Sequence, residues 1–242
     1  MDDWIKAGWP APRNIRAACT TRTGGVSQGA WASFNLGAHC GDRDSHVAQN
    51  RDQLCKALPA TPQWLTQVHG TTVVRHPGKA GVELQADAIV SFAPGEVCAV
   101  LTADCLPVFF CSRSGDRVAV AHAGWRGLAN GILQETITAL DVEPAELLAW
   151  MGPAIGPQAY EVGRELADAF PEEYPAGFIP HGDRFLLDLY TLADLKLRRL
   201  GVQAVSGGNF CTLGDPARFF SYRRDGVTGR MASLIWMQSH PG

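Results

Sequence analysis

No stretch of this 242-residue sequence approaches the roughly eighteen uninterrupted apolar residues of a membrane-spanning helix, so no membrane partner is expected. The amino terminus, MDDWIKAGWPAP, lacks the basic region and apolar core of a secretory signal. The seven cysteines, at 19, 40, 55, 98, 105, 111 and 211, include no CxxC pair, and their number is odd. That argues against a disulfide framework and for a reducing, cytoplasmic setting. Basic charge is not in excess: 21 Lys and Arg stand against 24 Asp and Glu, a formal net charge of -3. Nucleic acid therefore gains no electrostatic attraction. Among seven histidines no HxH occurs, so the dense imidazole ligation of a four-copper oxidase is missing.

What is present reads as a globular core, with 46% hydrophobic and 19% charged residues. Neither an internal repeat nor a low-complexity linker divides the chain, and one domain over 1–242 is expected. QWLTQV, TTVVRH, ADAIVSF, VCAVLTAD, PVFFCS and RVAVAHAG read as strands, apolar enough to be buried on both faces. DSHVAQNRDQLCKAL predicts an amphipathic helix capped by Asp44 or Ser45. LANGILQETITALDV predicts a second helix, GRELADAF a third, and LYTLADLKLRRLG a fourth that Gly201 ends. FPEEYPAGFIPHGDR, residues 170–184, reads as a surface loop. ARFFSYRRDG and GRMASLIWMQ read as two strands joined by RDGVTG. Helices and strands do not alternate strictly. The expected fold is α/β of the α+β type: a layered sandwich with a mixed β-sheet flanked by helices.

Three groups with chemistry sit where apolar strands end: His69 in QVHG, Cys105 in TADCLP and His122 in AHAGWRG. Two imidazoles and a thiolate suit zinc, and three protein ligands leave a fourth position for water or substrate. The same residues also suit a metal-free Cys–His nucleophile pair with Asp104 orienting the imidazole. The glycines around Trp125 and Arg126 let backbone amides approach a ligand. Arg22 lies beside a glycine pair in TRTGGVS, where a simple turn is an equal explanation. Asn35 in SFNLGAHCGD could meet a sugar hydroxyl or a base edge, or form a turn. In FFSYRRDGVTGR, Arg223, Arg224 and Arg230 are candidates for phosphate, of which a strand would aim only one of the adjacent pair into a cleft. Cys19, Cys55, Cys98 and Cys111 read as core residues.

TRTGGVS, FNLGAHCGD, NRDQL, WLTQVHG, ADAIVS, TADCLPVFFC, AHAGWRGL, MGPAIGPQAYEVG, GGNFCT and FFSYRRDGVTGRMASLIW occur in this order along nearly the whole chain. In these motifs the sequence resembles the YfiH/laccase-domain family. The resemblance implies the YfiH-like layered fold and a metal trio at His69, Cys105 and His122, with zinc or, as a second candidate, copper. It implies a purine nucleoside phosphorylase, acting on nucleoside and phosphate, with adenosine deaminase activity. Two other activities attached to the family are peptidoglycan editing on a UDP-muramyl-serine precursor and copper-dependent polyphenol oxidation. On the first reading Asn35 and Gln67 are candidates for ribose or base contacts, Arg22 for another substrate contact, and Arg223 for phosphate. Asp104 then supports the metal ligands or transfers a proton. Nothing in the pattern sets an oligomeric state.

Overall fold

The computed structural model describes residues 3–77 and 84–239. In chain order the elements are β1 (Ile5–Lys6), β2 (Ile15–Cys19), α1 (Asp44–Cys55), β3 (Leu65–Thr66), β4 (Val73–Arg75), β5 (Leu84–Gln85), β6 (Ala88–Ser91), β7 (Cys98–Thr102), β8 (Leu106–Ser112) and β9 (Val118–Ala123). There follow α2 (Trp125–Asn130), α3 (Ile132–Leu140), β10 (Leu147–Met151), β11 (Glu161–Val162), α4 (Arg164–Ala167), β12 (Phe178–His181), β13 (Arg184–Leu187), α5 (Leu189–Arg199), β14 (Ala204–Gly207), α6 (Tyr222–Asp225) and β15 (Met231–Met237).

Two sheets carry the architecture. The larger has the order β14-β10-β8-β9-β6-β4 and the smaller β1-β2-β15-β7. Along β8, Leu106, Val108 and Phe110 face one way and Phe109 and Cys111 the other, as the two-residue period of a strand requires. The first set packs under α3 and α5. The second meets Val100, Ile235 and Met237 of the smaller sheet. The smaller sheet's outer residues, among them Leu101, Ala232 and Leu234, are covered by Leu54 of α1 and by Phe34 and Leu36 from the segment before it. The layers thus run helix, sheet, sheet, helix. Double burial explains the near-continuous apolar strands, although parallel pairing occurs only at β10–β14 and β4–β6 within the large sheet.

Several local expectations need correction. The helix expected over LANGILQETITALDV is two helices, because Gly131 adopts φ +97 between them. Neither Asp44 nor Ser45 caps α1; Arg43 holds the cap position and no side chain caps the helix. GRELADAF yields one short helix, Arg164–Ala167. Residues 170–184 are only partly loop: Phe178–His181 pairs with Arg184–Leu187 as a hairpin turning at Gly182, φ +62. QWLTQV gives a strand at Leu65–Thr66 alone. FFSYRRDG is not a strand. Ser221 accepts from the Arg224 amide and Asp104 from the Arg223 amide, so the opening N–H groups of a helical turn are satisfied. As expected, Gly201 takes φ +95 after α5, whose start is capped by Asp188 accepting from Tyr190 and Thr191.

Candidate metal centre

The antiparallel order β8–β9–β6 brings the starts of β8 and β6 and the end of β9 to one edge of the large sheet. Pro107 is paired with His122, which places Cys105 beside the residues following β9. Cys105 lies in the short connection that carries the chain from the small sheet into the large one. Its predecessor Asp104 has φ +91, and His69 has φ +60, both in the left-handed region. His122 points between the two sheets, on the side of Val118 and Val120. The structure brings the three together: one ligand atom from each of His69, Cys105 and His122 lies within 4.8 Å of the others. Cys105 Sγ is 3.9 Å from His69 Nε2. Gly124 makes this approach possible, since a Cβ there would stand 3.0 Å from Cys105 Sγ and 3.3 Å from the His69 ring.

Asp87, fully buried at the start of β6, holds both histidines. His122 Nδ1 donates to its Oδ1 at 2.8 Å, and the backbone amides of His69, Gly70 and Val68 donate to the same carboxylate at 2.9, 2.7 and 3.2 Å. Burial pushes the Asp87 carboxyl up, but the His122 hydrogen bond and the amides outweigh it and hold the group below the usual range. With Nδ1 committed, His122 presents Nε2 to the trio. Burial also opposes the Cys105 thiolate, yet the positive charge and hydrogen bond of His122, with help from His69, bring the thiol down to about 6. Burial lowers His122 in turn, while the Cys105 thiolate and Asp87 raise it to about 9. The pair is therefore a thiolate beside an imidazolium when no metal is present. Nothing in the sequence reading singled out Asp87; a lone acid opening the apolar run AIVS was its signal.

The donor set fits a tetrahedral thiophilic ion. Ligand atoms around zinc lie about 3.5 Å apart, close to the observed Cys105–His69 separation. Among the described residues these three are the one group of His, Cys, Asp or Glu gathered in this way. The His-Cys-His group can bind a metal ion, with an open side toward a cavity of about 470 Å³.

The remaining sequence candidates fall in different places. Gln67 lines the cavity, but its amide donates to the Leu101 carbonyl and accepts the Leu101 N–H, as a neighbouring strand would. Asn35 is fully buried; it donates to Asp42 and the Gly37 carbonyl and accepts the Gly37 and Arg230 amides. Arg22 donates to the carbonyls of Ala32 and Pro216 and stands over Phe220, away from the cavity lining. Asp104 faces neither histidine: it accepts from Thr212 Oγ1 at 2.6 Å and the Arg223 amide at 2.7 Å. Arg223 lies over Tyr160 and donates to the Glu161 carbonyl. Arg224 pairs with Asp225 and three backbone carbonyls. Instead the cavity wall takes His39, Arg126, Tyr222 and Arg230.

A family model described as multi-copper polyphenol oxidoreductase laccase matches residues 16–238. A purine nucleoside phosphorylase of Pseudomonas aeruginosa is 52% identical over 244 residues, covering 98% of this chain and 100% of that protein. The purine nucleoside phosphorylase YfiH of Escherichia coli is 51% identical over 242 residues, with the same coverage. A Neisseria meningitidis protein of known crystal structure superposes with a TM-score of 0.94 at 50% identity, over 98% of this chain and 100% of that one. Bacillus licheniformis YfiH superposes with a TM-score of 0.85 at 29% identity, over 93% of each chain. The chain belongs to the YfiH/laccase-domain family.

Proposed function

We propose that this protein is a zinc-dependent purine nucleoside phosphorylase, converting adenosine, inosine, guanosine or methylthioadenosine and phosphate to free base and ribose-1-phosphate, with adenosine deaminase activity at the same site. The observation that carries the reading is the open His69–Cys105–His122 group in a cavity of small-molecule size, in a chain half identical to proteins named for that activity. The reaction breaks the bond from the sugar C1′ to the purine nitrogen. A phosphate oxygen bonds C1′, and the departing base keeps the electron pair and takes a proton.

When bound, zinc would supply a Lewis acid that polarises a substrate oxygen or lowers the pKa of a water, the latter being what deamination needs. The protein's residues do the holding. His69, Cys105 and His122 present the ligand atoms, and Asp87 keeps His122 in the tautomer that exposes Nε2. Tyr222, 61% exposed at the cavity wall, offers a flat apolar face on which a purine can stack. Among the described residues a single cluster of three ligands supports this reading over four-copper oxidase chemistry, which needs several such clusters. The seven thiols, none paired, support a cytoplasmic location, and no helix among the described residues is long and apolar enough to cross a membrane.

Zinc-loaded protein incubated with inosine and phosphate is expected to yield hypoxanthine and ribose-1-phosphate in equal amounts, with adenosine also giving inosine. Absence of any phosphate-dependent product overturns the phosphorylase reading; release of serine from the UDP-muramyl-serine precursor in its place would support the editing activity.

A further inference from the structure

The metal cavity has an unusual charge balance for a chain of net charge -3. Two arginines, Arg126 and Arg230, line it, and no Asp or Glu does. The acids nearest the trio are turned away, Asp87 onto His122 and three amides, and Asp104 onto Thr212 and Arg223. Among the described residues neither arginine has a carboxylate partner within ion-pair distance. A guanidinium left without a counter-charge at the wall of a cavity is an invitation to an anion.

Both guanidinium groups stand against an aromatic ring. Arg126 lies over the Trp125 ring at 4.4 Å, and among the described residues no hydrogen-bond partner occupies its fork. Arg230 is 5.9 Å from the Tyr222 ring centre, and among the described residues only its Nη1 is engaged, donating to the Thr228 and Gly229 carbonyls. Its backbone is fixed by Asn35, which accepts the Arg230 amide at 2.9 Å. The two arrive from different parts of the chain, one from the first turn of α2 and one from the approach to β15. Such a pair can grip one tetrahedral oxyanion from two sides through parallel N–H groups.

We propose that Arg126 and Arg230 form the phosphate site of this cavity, taking free orthophosphate beside the metal trio, and that Arg223 does not belong to it. The assignment rests on the phosphorylase reading for its choice of anion, but the clamp itself is a property of binding and can fail separately. Asn35 becomes a positioning residue acting through Arg230, which gives this buried amide a part in the site without substrate contact.

The test is calorimetric titration of inorganic phosphate into zinc-loaded and metal-stripped protein, without nucleoside. Wild type is expected to bind phosphate in both forms. Arg126→Gln and Arg230→Gln are each expected to weaken binding about tenfold or more, in the range of one charge-assisted contact. Arg113→Gln, at the opposite end of β8, should leave it within twofold. Arg126→Lys, which keeps charge but loses the fork, should fall between. Circular dichroism and thermal melting establish that each variant is folded. Unchanged phosphate binding in both glutamine variants overturns the clamp, as does binding that vanishes entirely on metal removal. UDP held tenfold more tightly than orthophosphate overturns the orthophosphate assignment and gives the site to the phosphoryl group of a larger substrate. Phosphorolysis whose phosphate KM is unmoved in both variants overturns the clamp while sparing the phosphorylase. Arginine-dependent phosphate binding with no nucleoside cleavage by wild type supports the clamp and overturns the phosphorylase.

Discussion

Asp87 Oδ1 accepts the Nδ1 proton of His122 at 2.8 Å, and the same carboxylate gathers the amides of Val68, His69 and Gly70. One buried acid thus orients one ligand through its ring and another through its backbone. Asp87→Asn keeps the shape but loses the charge and cannot accept at every one of these positions. The expected outcome is a fold that persists and a zinc affinity lowered roughly 10–100-fold, the usual cost of removing such an outer carboxylate. Competition with a chromophoric chelator reads this directly; unchanged affinity would show that His122 orients itself.

The thiolate–imidazolium pair gives a pH signature. Cys105 is brought down to about 6 and His122 raised to about 9. In metal-free protein the rate of iodoacetamide capture at Cys105, read by peptide mass, should rise through pH about 6 and not near the ordinary value of 9.0. His122→Gln should move the midpoint upward, and zinc should protect the residue. Each group's contribution to stability has its own sign. The depressed thiol contributes fully above its unfolded value and loses that contribution as pH falls through about 6. The raised imidazole contributes fully below its unfolded value and loses it as pH rises through about 9. The two contributions offset, because the folded pair near 6 and 9 and the unfolded groups near 6.5 and 9.0 bind almost the same number of protons at every pH; the pair alone should leave the melting temperature nearly flat, and the alkylation midpoint is the measurement that tests it.

Asp104 makes a contrasting case. Its carboxylate ties the Cys105 turn to Thr212 and to the amide of Arg223, at the start of the helical turn that carries Tyr222. It touches neither imidazole. As a structural anchor, Asp104→Asn should cost about 1 kcal/mol, since the amide can still satisfy both partners and tolerates positive φ. Asp104→Ala should cost more, roughly 2–4 kcal/mol, because it strands a buried hydroxyl and an amide at a φ that alanine resists. Denaturant unfolding measures both. A proton donor behaves differently: its asparagine variant would lose on the order of 100-fold or more in kcat and one limb of the pH profile. A kcat within tenfold of wild type and an unshifted profile are expected.

The apolar strands were legible because both faces of β7, β8 and β9 are buried, so their side chains answer to a single demand. The strand-end positions of Cys105 and His122 followed from the same runs. Tertiary partners decided the rest. Ser221 and Asp104 turn FFSYRRDG into a helical start, and Asp104 lies 119 positions before Arg223, whose amide it accepts, beyond any local pattern. Asn35 and Gln67 have the right chemistry for substrate contacts, yet both amides are engaged with backbone groups of Arg230 and Leu101. Asp87 escaped notice because its partners His69 and His122 lie 18 residues before and 35 after it. Only the sheet order makes them neighbours.

Gly124 offers the sharpest separation of site from fold. Its φ of -62 and ψ of 163 suit any residue, so alanine there brings no backbone strain. A Cβ would nonetheless stand 3.0 Å from Cys105 Sγ and 3.3 Å from His69 Cδ2, tighter than ordinary contact on both sides. Cys105 is held by its short connection and His69 by the Asp87 carboxylate, so the two ligands must part by a few tenths of an ångström. Gly124→Ala should keep the metal-free melting temperature within a few degrees, because the half-buried Cys105 and exposed His69 have room to yield. Zinc affinity should fall at least tenfold, and with it the gain in melting temperature on adding the metal, which follows the ratio of free zinc to Kd. Loss of the metal-free fold would place Gly124 in the core packing, whereas full zinc affinity in a folded variant would show that the trio needs no such clearance.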